Sequence, residues 1–151
     1  MDNVLVAFEL MHYLEHKKDG KKGYMAIKMD MSKAYSRVEW AFLEKVMEKM
    51  GFHERWISLI MHCITTISYF VLINGVAYES IIPTRGLCQG DPLSSYLFLL
   101  CADGFSSLIN NAVQNQMMSG ITISRGCPMV IHLFFADDSL LFCKASVQEC
   151  Q

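Results

Sequence analysis

Three clusters of residues in this sequence have types and spacings suited to chemistry. The first is Phe135-Ala136-Asp137-Asp138, set between two apolar runs. Adjacent carboxylates repel, and the flanking Phe134, Phe135, Leu140 and Leu141 lower the local dielectric and sharpen that repulsion. A divalent cation would relieve it, since hard oxygen donors suit Mg²⁺; an ordinary polar turn is the plainer reading. The second is Ala26-Ile27-Lys28-Met29-Asp30, a strand ending in an acid, followed by Met31-Ser32-Lys33-Ala34-Tyr35. A carboxylate at a strand end can face a neighbouring hairpin turn and add a metal ligand, although many strands end in Asp. The third is Arg85-Gly86-Leu87-Cys88-Gln89-Gly90-Asp91-Pro92-Leu93-Ser94. Its glycines permit close backbone approach to a ligand, and the amides opening the next helix favour an anion such as phosphate. A simple loop entering a capped helix would read the same way.

These clusters need elements to hold them. Asp2 can cap a helix running to about Lys17, with Val4, Leu5, Phe8, Met11 and Leu14 on one face. Lys17–Gly23 reads as a basic turn, exposed or in contact with phosphate. Tyr24–Met29 is a strand. A helix is predicted from about Val38 to Met50 through Phe42, Leu43, Val46 and Met47, stopped by Gly51, and a second from about Glu54 to Cys63. Ile67–Ile73 and Val76–Ile82 read as a hairpin, because Asn74-Gly75 suits the positive φ angles of a type I′ turn. Asp91 is a candidate N-cap and Pro92 a first helical residue for the longest helix, to about Met117. Met129–Phe135 and Ser139–Lys144 are two further strands. The pattern is α+β, an antiparallel sheet with helices packed on one face.

Composition sets bounds. The 151 residues suffice for one domain with a sizeable core. They are 52% hydrophobic and only 19% charged, with mean hydropathy +0.25, more apolar than an average soluble domain. The longest apolar stretches, around Tyr96–Ala102 and Met129–Ala136, fall short of the roughly 20 residues of a spanning helix. No signal peptide is seen and no membrane partner is expected; a piece that buries more surface in a larger protein fits better. A net charge of −2 and a pI near 6.2 argue against a strong nucleic-acid binder, because phosphate contacts come largely from Lys and Arg. The six cysteines form no Cys-x-x-Cys pair, so zinc is not expected and reduced, mostly buried thiols are.

Together the clusters are far more specific than apart. Lys28–Trp40 resembles the first palm motif of non-LTR (LINE-type) retrotransposon reverse transcriptases, Pro83–Phe98 their loop-and-helix motif, and Phe135–Ser139 their Asp-Asp box. Order and intervals agree, and the stretches between, such as Gly51–Ile57 and Ile73–Pro83, look like plant-type members. Reverse transcriptases of group II introns share much of the pattern; the Phe-Ala-Asp-Asp box favours the non-LTR class.

The resemblance implies a polymerase palm over 24–151, with 1–23 as a fingers remnant and connecting helix, and with no thumb. It implies Asp30, Asp137 and Asp138 as catalytic, metal-binding carboxylates for two Mg²⁺ ions, with Mn²⁺ as a substitute. Met31, Lys33, Ala34, Tyr35, Gln89 and Gly90 would meet the incoming nucleotide, Tyr35 excluding a 2′-hydroxyl or serving as a core residue. Partners would be an RNA template with a DNA primer, dNTPs, and the missing fingers, thumb or other element-encoded segments. Absent basic fingers and thumb would account for the near-neutral charge and the apolar excess. Localisation would be nuclear, otherwise cytoplasmic. Three departures stand out: Ser36 where relatives carry Asp, Cys88 in place of Arg, and Ser95 in place of Pro, which would loosen the long helix's start. A polymerase inactive as an isolated fragment, a dead element remnant, and a domesticated protein- or RNA-binding module all remain open.

Overall fold

The computed structural model describes residues 3–17, 23–31, 33–124, 126–135, 138–147 and 149. The chain divides into two compact units, Met1–Ser32 with Phe105–Gln151, and Lys33–Gly104.

The first unit is built on a three-stranded antiparallel sheet of β1 (Tyr24–Asp30), β5 (Asp138–Lys144) and β4 (His132–Phe135), with β5 in the centre. Its register pairs Ala26 with Phe142, Asp30 with Asp138, and Leu133 with Leu140. Side chains alternate across a strand, so Leu133, Leu140 and Phe142 share one face. Helix α1 (Asn3–His16) covers that face, packing Leu10, Val6, Tyr13 and Leu14 against Phe142, Leu133 and Ala26. The opposite face carries His132 and Phe134, which meet Ser106 and Phe105 of helix α4 (Pro92–Gln114). The antiparallel α+β class is as expected, with one refinement: helices lie on both faces of this sheet.

Helix α1 corrects a second expectation. Val4, Leu5, Phe8 and Met11 are exposed, and the buried side is Leu10 with Val6, Tyr13 and Leu14. This helix is apolar nearly all round, so its periodicity cannot select a face. Its candidate cap, Asp2, lies outside the described residues, as do most of the basic turn and Ala136 and Asp137 of the Asp-Asp box.

The end of the first unit is tied by Glu149, whose carboxylate accepts from Ser119 N (3.1 Å), Ser119 Oγ (2.7 Å) and Lys144 N (3.0 Å). Desolvation pushes its pKa up, but the bonds from Ser119 and Lys144 and the Lys144 charge outweigh it, and the net shift is down. A carboxyl with a depressed folded pKa contributes stability above its unfolded pKa and loses it as pH falls through the folded one. The stability gap between wild type and Glu149→Gln should therefore shrink as pH drops from 4.5 downward. Urea denaturation of both proteins across that range checks this; a gap independent of pH would contradict it.

In the second unit, helices α2 (Trp40–Lys49) and α3 (Glu54–Thr65) bury Leu43, Met47, Ile57, Ile60 and Ile64 with Leu97, Phe98 and Cys101 of α4. Gly51 ends α2 as expected. Its φ is +81°, Phe52 N donates to Met47 O (3.1 Å) and Gly51 N to Glu48 O (3.0 Å), the two bonds of a Schellman motif. The hairpin of β2 (Tyr69–Ile73) and β3 (Val76–Ile81) turns at Asn74 and Gly75, both at positive φ. Every residue of both strands is exposed, including Phe70, Leu72, Val76 and Tyr78.

Helix α4 opens as the sequence predicts. Leu93 N donates to Asp91 Oδ1 at 2.9 Å, a cap that contributes about 1 kcal/mol. Ser95 lies inside the helix, which starts at Pro92, three residues earlier. Among the described residues α4 alone is long and apolar enough to cross a membrane. Its Leu97, Phe98 and Cys101 instead sit in the core of the second unit, and Ile109 is buried.

The cysteines depart from expectation. Of the five described, Cys101 and Cys143 are buried, Cys88 is intermediate, and Cys63 and Cys127 are exposed. Burial pushes the Cys101 thiol up to about 11, which makes it unreactive.

Candidate functional site

The acids belong to the first unit. Asp30 is the last residue of β1 and Asp138 the first of β5, and they are direct register partners. Asp138 is thus a strand residue and not part of the turn. Partners in an antiparallel pair present their side chains on the same face, so the two carboxylates emerge side by side. Like charges placed so are unfavourable, and Lys28 offsets one of them: its Nζ lies 3.2 Å from Asp138 Oδ1. Lys28 was not singled out in the sequence, although it lies two residues before Asp30 on a strand of period two. Asp137 lies outside the described residues.

This pair fits a hard divalent cation. It supplies carboxylate oxygens on one face of a sheet end, with Asp30 exposed and Asp138 half-buried. Mg²⁺ keeps several waters and takes one or two carboxylates. Among the described residues no group of three His, Cys, Asp or Glu side chains could hold a metal, so Asp30 and Asp138 are the donors on which the fit rests. Met31, next to Asp30, is 36% exposed.

The remaining candidates lie in the second unit, where the tail of the first motif is joined to the glycine loop. Gly86 N donates to Val38 O (2.8 Å), Leu87 N to Tyr35 O (2.8 Å) and Trp40 Nε1 to Gly86 O (2.7 Å). Arg85 pairs with Glu39 at 3.1 Å. Gly86 has φ +92°, and a Cβ there would come within 2.7 Å of the Ser36 carbonyl oxygen. Ser36 thus matters through its backbone. Nothing local in the sequence marks Trp40, whose indole bond joins residues 46 apart.

Tyr35 stacks on Phe98 with ring centroids 4.6 Å apart and, like Ala34, packs against the core cluster of this unit. Core packing therefore holds the ring. Lys33 is exposed with φ +58°. Gln89 is exposed, and Gly90 has φ +98° with nothing within 4 Å of a Cβ, so conformation and not space calls for glycine there. Cys88 has Tyr69 as a neighbour: a hydrogen bond between their side chains, then burial, then the charges of Cys88 and Asp91 push the Tyr69 hydroxyl up. The structure therefore gathers Asp30 with Asp138, and Tyr35 with Gly86 and Leu87, each set within its own unit.

Comparison with known proteins agrees with the motifs. The sequence model of a family described as reverse transcriptase (RNA-dependent DNA polymerase) matches residues 1–151. The chain is 28% identical over 132 residues to a retrovirus-related Pol polyprotein from type-1 retrotransposable element R2 of Popillia japonica, covering 87% of this chain and 21% of that protein. It is 24% identical over 155 residues to an uncharacterized 149 kDa protein of transposon TX1 from Xenopus laevis, covering 99% of this chain and 11% of the relative. An uncharacterized mitochondrial protein of Arabidopsis thaliana is 46% identical over 68 residues, 45% of this chain and 56% of that protein.

Proposed function

Because the chain belongs to the reverse transcriptase family, we propose that it serves as the palm of an RNA-directed DNA polymerase, over 24–151, with 1–23 as the connecting end of the fingers. The reaction is nucleotidyl transfer from a dNTP to a primer 3′-hydroxyl, on an RNA template. The observation that carries this reading is the direct pairing of Asp30 with Asp138 across β1 and β5.

Asp30, Asp137 and Asp138 would hold two Mg²⁺ ions, with Mn²⁺ as a substitute, and the bound metal would supply Lewis-acid stabilisation of the charge that develops during the displacement. Phosphoryl transfer asks mainly for positioning and electrostatic stabilisation, and the pairing of Asp30 with Asp138 at the sheet end supports that reading. Met31 meets the incoming nucleotide, and the backbone around Lys33 and Ala34 lies near the triphosphate. Tyr35, held by Phe98, blocks a 2′-hydroxyl, the group that separates RNA from DNA building blocks. Gln89 and Gly90 face nucleotide and template.

The chain alone does not sustain synthesis in this reading. It spans 21% of the Popillia polyprotein and 11% of the TX1 protein, and the apolar β2–β3 hairpin is exposed throughout. A dead remnant or a binding module is the second reading, favoured by that hairpin. Location in the nucleus follows from insertion at a chromosomal target; the Arabidopsis relative is mitochondrial, so imaging against both organelles decides.

Primer extension on an RNA template with a DNA primer and Mg²⁺ tests the function. The isolated chain is expected to match its Asp137→Asn control. A chimaera carrying this chain in place of the aligned segment of the Popillia polyprotein is expected to extend the primer, and its Asp137→Asn form is not. Synthesis that persists in the Asn chimaera would refute the site assignment, and an inactive wild-type chimaera would favour the remnant.

A further inference from the structure

Two side-chain atoms stand out in the first unit. His132 Nδ1 and Ser139 Oγ are buried and have no hydrogen-bond partner among the described residues. Such atoms are rare and call for an explanation. They lie on one face of the sheet: Phe134 pairs with Ser139 and His132 with Leu141, so His132 and Ser139 are diagonal neighbours on that face. The other ring nitrogen, His132 Nε2, is 2.8 Å from Ser106 Oγ of α4.

The strand that carries His132 has a register problem. It is four residues long, His132-Leu133-Phe134-Phe135, at the edge of the sheet and bonded only to β5. A slip of one residue moves every side chain to the other face. Leu133, Phe134 and Phe135 are all bulky and apolar, so hydrophobic pattern does not choose between the two registers. His132 is the polar residue of the strand, and its bond to Ser106 on the α4 side reinforces the register that the short connection from Phe135 to Asp138 sets. The choice matters at the far end of the strand, where Phe135 pairs with Asp138 and Asp138 with Asp30.

We propose that Ser106, His132 and Ser139 form a half-buried polar latch that holds the register of β4 on β5, making His132 a positioning residue for Asp138. One water shared by His132 Nδ1 and Ser139 Oγ completes both, in keeping with buried waters that join otherwise unsatisfied groups. Burial lowers the His132 pKa, which keeps the ring neutral, with one nitrogen donating and the other accepting. The link to Asp138 rests on the cation-binding reading of the acid pair.

The test uses the whole chain and two readouts. The first is Mn²⁺ affinity by electron paramagnetic resonance for wild type, Asp30→Asn, His132→Phe and His132→Gln. The second is the side-chain ¹⁵N spectrum of His132 in wild type and Ser106→Ala near neutral pH. His132→Phe keeps the ring volume and loses the polar atoms. It should melt within a few degrees of wild type but bind Mn²⁺ about tenfold or more weakly, the size seen when outer partners of metal ligands are removed. His132→Gln, which can still reach Ser106, should recover most of that loss. Wild type should show one fixed tautomer, and Ser106→Ala an averaged one. Unchanged Mn²⁺ affinity in His132→Phe, or an averaged tautomer in wild type, overturns the latch. If His132→Phe does not fold, His132→Gln and Ser106→Ala decide by the same readouts. If Asp30→Asn leaves Mn²⁺ binding untouched, the cation reading fails instead, and the nitrogen spectrum still judges the latch.

Discussion

Asp30→Asn is expected to weaken Mn²⁺ binding about 100-fold or more, because a hard-cation site of this kind draws on only one or two carboxylates, while leaving the metal-free protein as stable as wild type or slightly more so. The second half of this expectation follows from the geometry. Asp30 and Asp138 are direct cross-strand partners, and like charges so placed cost roughly 0.2–1 kcal/mol. Lys28 pairs with Asp138 at 3.2 Å and would remain to balance it. A purely structural acid would behave in the opposite way, losing stability on substitution and showing no effect on cation affinity. Titration with Mn²⁺ together with a thermal melt in chelator separates the two cases. Loss of stability with unchanged affinity would remove Asp30 from the metal site.

Gly86→Ala is expected to destabilise the protein by about 2–4 kcal/mol, lowering the melting temperature by roughly 5–15 °C for a chain of this size. Two costs combine. At φ +92° an L side chain is strained, which costs about 1–3 kcal/mol. In addition, the new Cβ would lie 2.7 Å from the Ser36 carbonyl oxygen and 2.9 Å from its Cα, both backbone atoms that cannot swing aside as a flexible side chain can. Relief requires the loop to move off the 35–38 turn, at the expense of the bonds from Gly86 N to Val38 O and from Leu87 N to Tyr35 O. Gly90→Ala is the matched control. Its φ is +98° with open space around the site, so it carries only the conformational cost. Equal melting temperatures for the two variants would show that the contact with Ser36 carries no weight.

Most elements of this protein were legible along the chain, for local reasons. Asn74-Gly75, Gly51 and Asp91-Pro92 act through their own backbone conformation or through neighbours a few residues away, and the turn, the helix stop and the helix cap appear where those residues stand. Helix α2 buries Leu43, Val46 and Met47 as its period requires, because polar residues occupy its other side. The acids Asp30 and Asp138 and the glycine loop were likewise visible as motifs.

What tertiary structure decided depends on residues far apart in the chain. Helix α1 offers apolar residues on every side, and only the inner face of the sheet selects Leu10 and Tyr13 over Phe8 and Leu5. Pairing of Asp30 with Asp138 needs β1 and β5 in one register, and no local signal sets a bond between residues more than a hundred positions apart. The bracing of Gly86 by Trp40, and the contact of His132 with Ser106, arise in the same way. The sequence by itself marked the acids and the glycine loop as candidates for a site. Only packing decided which partners hold them there, since side-chain contact is set by distance in space and not along the chain.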